Sequence, residues 1–160
     1  MSRLRSLRAG ELRVAEAPAR LTIHGLGSCV AVFVYDPARR VGGMAHVLLP
    51  GPPRNGGDHV GRYASTAVAA MVAESIRLGA KPSGLLAKVT GGSRMFAYDA
   101  GKNRPTVGDK NVEAVLRALR EAGVEIIATD VGGDHGRTVV ADLQDGSLTI
   151  VTVRGGSKVV

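Results

Sequence analysis

Clusters of glycine cut this chain into short apolar runs, and that spacing constrains the fold more than any other feature. Gly25/Gly27, Gly42/Gly43, Gly56/Gly57, Gly91/Gly92, Gly132/Gly133/Gly136 and Gly155/Gly156 fall between apolar segments. Glycine accounts for 22 of 160 residues, about twice the usual ~7%. Clusters placed this way mark tight loops that end strands and helices. There is no internal repeat and no low-complexity stretch. The length suits one domain that can bury its own core.

The runs themselves read mostly as strands. Residues 21–26 and 29–35 are apolar and partly β-branched, with a break at Gly27-Ser28. Asp36-Pro37-Ala38-Arg39-Arg40 is a turn, and 41–49 returns as a strand closed by Pro50-Gly51-Pro52-Pro53. Residues 54–61 are polar and glycine-rich, a loop. A helix is expected over 62–78, where Ala64, Ala67, Val68, Met71 and Val72 keep helical spacing and Gly79 terminates it. Residues 85–90 form a strand before the Gly91-Gly92 loop. A second helix is expected over 110–122, with Val112, Val115, Leu116 and Leu119 as its stripe, Asp109 as its cap and Gly123 at its end. Strand 125–131 and a hairpin of 138–143 with 148–153 complete the pattern. About seven strands against two helices predict an α+β fold: one layered domain in which two helices cover mixed or antiparallel sheets. Residues 1–20 are expected to be a partly ordered basic segment, 21–154 the domain, and 155–160 a loose tail.

The formal charge is +7, which permits an anionic partner. Its distribution argues against nucleic acid. Arg3, Arg5, Arg8, Arg13 and Arg20 crowd the first twenty residues, and the remaining cations are scattered. Aromatics are 3% of the chain with no Trp, so no stacking platform is evident. No run reaches the roughly 18 apolar residues of a membrane span. The basic start lacks the apolar stretch of a signal peptide. A single cysteine precludes an internal disulfide and fits a reducing compartment, so a cytoplasmic protein is expected.

That cysteine is the main chemical candidate. Cys29 follows the turn Gly25-Leu26-Gly27-Ser28, and His46 lies on the returning strand. A free Cys is more often a small buried hydrophobe than a nucleophile. Beside an imidazole it can attack an amide or ester carbonyl. A hairpin centred near Pro37-Ala38 places position 29 opposite about position 46. Gly27 and Ser28 permit a sharp turn whose free amides would form an oxyanion hole. His24, His59, His135 and Asp134 compete as functional groups, but none has metal-ligand spacing, and no metal or other cofactor is expected. Gly25-x-Gly27 lacks the third glycine of a dinucleotide fingerprint, and Gly91-Gly92-Ser93 reads as a turn before a phosphate cradle.

Five blocks carry a family resemblance: Gly25-Leu26-Gly27-Ser28-Cys29-Val30-Ala31-Val32, Gly43-Met44-Ala45-His46-Val47-Leu48-Leu49-Pro50, Gly91-Gly92-Ser93, Gly108-Asp109-Lys110-Asn111-Val112, and Asp130-Val131-Gly132-Gly133-Asp134-His135-Gly136-Arg137. In this order and spacing the sequence resembles the CheD family from about residue 21 to 153. The resemblance implies a three-layer α/β/β fold. It also implies a chemoreceptor glutamine deamidase of chemotaxis, with Cys29 as nucleophile and His46 as base of a thioester mechanism. The implied partners are the cytoplasmic helices of chemoreceptors and a CheC-type phosphatase of CheY.

One position departs from the family. Its third catalytic member is a Thr six residues before the cysteine, where this chain has Ile23. Thr22 is the adjacent candidate, although neighbouring strand residues face opposite ways. A bulge could turn Thr22 inward, His24 or Ser28 could orient the imidazole instead, or the site lacks that member. This departure keeps a second reading open, a module that docks on receptors or on the phosphatase with little catalysis.

Overall fold

The segment 30–36 is buried at every residue, as an apolar run without polar alternation must be when both faces of its sheet are covered. Its surroundings come from a computed structural model that describes residues 3–95 and 104–160. The strands are β1 (Arg3–Ser6), β2 (Leu12–Glu16), β3 (Ala19–Leu26), β4 (Val30–Asp36), β5 (Val41–Val47), β6 (Leu86–Gly91), β7 (Glu125–Val131), β8 (Arg137–Asp142), β9 (Ser147–Thr152) and β10 (Gly156–Val159). The helices are α1 (Ala64–Arg77) and α2 (Val107–Glu121), with short 3-10 turns at Val60–Arg62 and Pro82–Gly84.

The strands form two five-stranded sheets, in the orders β1-β3-β8-β9-β10 and β2-β5-β4-β6-β7. Each is mixed: β1 runs parallel to β3 and β6 parallel to β7, and the other pairings are antiparallel. Side-chain alternation on β4 sorts the core into two layers. Val30, Val32 and Val34 meet Ala64, Val68 and Met71 of α1 and Val115 and Leu119 of α2. Ala31, Phe33 and Tyr35 meet Leu21, Ile23, Val139 and Ile150 of the other sheet. The result is the expected α+β domain in three layers, helices on sheet on sheet.

Several elements differ from the sequence expectation. The basic start builds β1 and β2, one at the edge of each sheet; Met1 and Ser2 lie outside the described residues. The tail expected to be loose pairs with β9 as β10. These edge strands carry little apolar periodicity, because β1 and β10 are largely exposed and β2 is only half-buried. The first helix starts at Ala64, after a 3-10 turn. The second is capped by Thr106, not Asp109. The Thr106 hydroxyl accepts from the Asp109 N–H at 3.2 Å, and the Asp109 carboxylate accepts from the Thr106 N–H at 2.9 Å, a reciprocal capping box. No helix among the described residues is long and apolar enough to cross a membrane.

Candidate active site

Cys29 stands immediately before β4 on the parity of Ala31 and Phe33. It is half-buried, packed against the layer between the sheets. His46 lies near the end of β5 and is 7% exposed. The β4–β5 register pairs Ala31 with His46 and Val30 with Val47. Cys29 and His46 therefore share one face as diagonal neighbours, a separation of roughly 7–8 Å between backbones that side chains can bridge. Position 29 does not face 46 directly, as the hairpin estimate had it. The turn is centred later in the chain, because Asp36 pairs with Val41. The Asp36 carboxylate accepts from the N–H groups of Ala38 (3.0 Å) and Arg39 (3.2 Å), and Arg40 takes a left-handed φ of 55°.

The N-terminal segment locks His46. Its main-chain N–H donates to Glu11 O at 2.9 Å and its carbonyl accepts from Gly10 N–H at 2.8 Å. Its Nδ1 sits 3.5 Å from the Leu7 carbonyl oxygen. A carbonyl only accepts, so this contact favours the proton on Nδ1 and leaves Nε2 as the basic nitrogen. Burial lowers the His46 pKa, opposed by the Leu7 carbonyl and the Glu11 charge. Burial alone raises that of Cys29. Both shifts favour the neutral forms, thiol and imidazole.

The Cys29 turn is held from two sides. Gly92 N–H donates to Cys29 O at 2.9 Å and Ser93 N–H to Gly27 O at 3.0 Å. Gly91 has φ +111°, and a Cβ there would run into the Cys29 carbonyl oxygen; only glycine lets the backbones approach this closely. From the helix layer, Asn111 Nδ2 donates to Ser28 O at 3.1 Å and Leu48 O at 2.8 Å. Among the described residues, the amides of Gly27, Ser28 and Cys29 donate to no backbone carbonyl outside the strand ladders. Met95 is half-exposed and lies over Gly27.

The Thr22 hydroxyl is not brought to His46. Thr22 stays in the β3–β8 ladder opposite Val140, and the irregularity in that ladder falls later, between Ile23 and Leu26. Leu21 and Ile23 fill the layer between the sheets, so Thr22 faces the other way, and its hydroxyl donates to Val139 O at 2.8 Å. Its carbonyl instead accepts from Leu7 N–H at 2.8 Å, one residue link away from the oxygen on His46. His24 and His59 are exposed, and His135 lies in the loop before β8.

A family model described as CheD chemotactic sensory transduction matches residues 48–152. A probable chemoreceptor glutamine deamidase CheD of Desulfitobacterium hafniense is 39% identical over 160 residues, the whole of both chains. The chain belongs to the CheD family. The chemoreceptor glutamine deamidase CheD of Thermotoga maritima is 42% identical over 151 residues, 93% of this chain and 92% of that one. A probable one of Archaeoglobus fulgidus is 42% identical over 147 residues, 92% of each. The crystal structure of Bacillus licheniformis hypothetical protein YfiH aligns at 18% identity with a TM-score of 0.48, over 80% of this chain and 59% of that one.

The CheD match to 48–152 takes in the Gly91-Gly92-Ser93 loop and Asn111, whereas Cys29 and His46 are spanned by the full-length relative. In this CheD chain the glycine loop is a brace. Ser93 Oγ donates to His135 O at 2.7 Å and accepts from Arg137 Nη1 at 2.7 Å, and Arg137 Nε reaches Asp130 at 3.3 Å. The buried guanidinium thus fixes the loop that holds the Cys29 carbonyl.

Leu7, Asn111 and Met95 were not among the candidates from sequence. A main-chain carbonyl leaves no residue-type signal. Asn111 did leave one, a polar residue on the buried stripe of α2.

Proposed function

We propose that this CheD-family chain is a protein-glutamine deamidase that converts chemoreceptor glutamines to glutamate in chemotaxis adaptation, with Cys29 as nucleophile and His46 as general base. The observation that carries the reading is the diagonal placement of Cys29 and His46 on one sheet face, together with the printed activity of the relatives. His46 Nε2 takes the thiol proton as Cys29 Sγ attacks the carboxamide carbon. The tetrahedral oxyanion is held by amides of the Gly27-Ser28-Cys29 turn. The carbon–nitrogen bond breaks, His46 returns the proton to the leaving nitrogen, and ammonia departs from a thioester. His46 then deprotonates a water, which cleaves the thioester to the glutamate carboxylate and restores the thiol. No cofactor enters this cycle. The partner is the cytoplasmic helix bundle of a chemoreceptor, with a CheC-type phosphatase as a second partner, and the compartment is the cytoplasm.

A docking module with little catalysis is favoured by one observation: among the described residues no side-chain hydroxyl hydrogen-bonds His46. The Leu7 carbonyl answers it by filling the orienting role on Nδ1. The two readings part on co-expression with a receptor cytoplasmic fragment, read by peptide mass spectrometry. Glutamine-to-glutamate conversion that needs both Cys29 and His46 is expected. No conversion by the native chain on a receptor of its own organism would overturn the deamidase reading in favour of docking.

A further inference from the structure

We infer that Asn111 is a positioning residue for the Cys29–His46 pair, an inference that rests on the reading of these two residues as the reacting groups. Three independent features of the residue point this way. Asn111 lies on the buried stripe of α2 with Val115, Ala118 and Leu119, and it is fully buried. An apolar residue would serve packing better there, and Asn is a poor helix former. The amide at this position therefore owes its place to the hydrogen bonds it makes.

The amide sits where the β4–β5 ladder comes apart. The last paired residues are Val30 and Val47. Beyond them Leu48 N–H turns away to Arg62 O at 2.9 Å, and Cys29 O turns to Gly92 N–H at 2.9 Å. The two strands fork there. Asn111 Nδ2 spends its two hydrogens on Ser28 O, on the nucleophile side of the fork, and Leu48 O, on the base side. One planar NH₂ group thus sets the gap between the segment that carries Cys29 and the strand that carries His46.

The other end of the amide completes the picture. Asn111 Oδ1 is buried and has no hydrogen-bond partner among the described residues. An orphaned acceptor is a cost that structure alone would remove. No other uncharged side chain of that length donates two hydrogens to carbonyls on either side. A misplacement of the nucleophile by about 1 Å is enough to lose ~10²-fold in rate.

The test uses full-length protein with two substitutions, Asn111→Asp, of equal size but without the donors, and Asn111→Ser, which can keep one of them. Thermal melts confirm that each variant folds, and two measurements are made on each. With receptor fragment as substrate, Asn111→Asp is expected to lower kcat by about 10²-fold at nearly unchanged KM, with Asn111→Ser in between. Separately, the rate of Cys29 alkylation by iodoacetamide is followed against pH. Besides the inflection of the thiol itself, the native chain should show a second one on the acid side of 6.5, where His46 gives up its proton; His46→Ala should abolish this lower inflection, and Asn111→Asp should abolish it too. A folded variant that keeps the lower inflection and the native kcat overturns the inference. If the native chain deamidates nothing, the deamidase reading fails, and the alkylation profile still decides whether Asn111 couples the two groups.

Discussion

Ala31 stands directly opposite His46 across the β4–β5 ladder, and this single pairing fixes the imidazole's position relative to Cys29. Cys29 is two residues earlier on the same face, so the register delivers the two groups diagonally. A slip of one residue would send His46 to the helix side of the sheet and separate them. The turn at 37–40, pinned by the Asp36 carboxylate, thus sets the offset between Cys29 and His46.

The pH profile follows from the burial of that pair. Burial holds His46 below its ordinary 6.5 against the pull of the Leu7 carbonyl and Glu11, and it lifts Cys29 above 9.0. The base must be unprotonated, so the acid limb of kcat/KM is expected to have its midpoint on the acid side of 6.5. Steady-state rates against pH check this, and a midpoint at or above 6.5 would contradict it. The same shift has a stability sign. The unfolded chain binds the proton first, so stability contributed by His46 falls as pH drops below 6.5 and levels off beneath the folded value.

Gly91→Ala should damage both fold and activity. The residue would be forced to a φ of +111° with its Cβ against the Cys29 carbonyl, a strain of about 1–3 kcal/mol before any clash is relieved. The backbone shift displaces Cys29, so deamidation should fall further than the loss of folded protein explains. Parallel melts and rate measurements separate the two.

Asp36→Ala is expected to cost about 2 kcal/mol, because the part-buried N–H groups of Ala38, Arg39 and Lys81 lose their charged acceptor. Asp36 is 1% exposed, and its Oδ2 also accepts from Lys81 N–H at 2.9 Å. Burial pushes its carboxyl up, and the N–H groups of Lys81, Arg39 and Ala38 outweigh that and hold it below 3.8. Its stabilisation is therefore complete above 3.8 and lost as pH falls through the folded value. Denaturant melts at neutral and strongly acid pH should show the gap between native and variant narrow in acid.

Thr106→Ala should cost about 1 kcal/mol by opening the capping box. Asn111 is carried on the second turn of the same helix, so fraying there should also lower kcat. A Thr106→Ser variant, which keeps the hydroxyl, should retain both. Denaturant melts and steady-state rates on the two variants check this.

The layered α+β fold was legible because its central strands are apolar and its loops are glycine. The strands that escaped, β1, β2 and β10, lie at sheet edges or beside solvent, where alternation has little to bury. The helix cap was misplaced onto Asp109 because both partners of a capping box look like caps in sequence. Cys29 and His46 could be paired from spacing, but the diagonal offset depended on side-chain hydrogen bonds in the turn at 37–40. Lys88 falls within the expected strand 85–90, with nothing in the sequence to mark its role. It is 7% exposed, with its ammonium donating to Gly146 O and Val160 O at 2.7 Å each. Such a site depends on carbonyls distant in the chain, which no local pattern reveals.

The segment that leads from β1 to β2 ties Thr22, Leu7, Gly10, Glu11 and His46 into one run of hydrogen bonds. In hydrogen exchange the amides of Leu7, Gly10 and His46 should then open together as one unit. The start of the chain cannot peel from the sheets without releasing the imidazole, so protection at residue 7 is a spectroscopic gauge of whether the His46 ring is held.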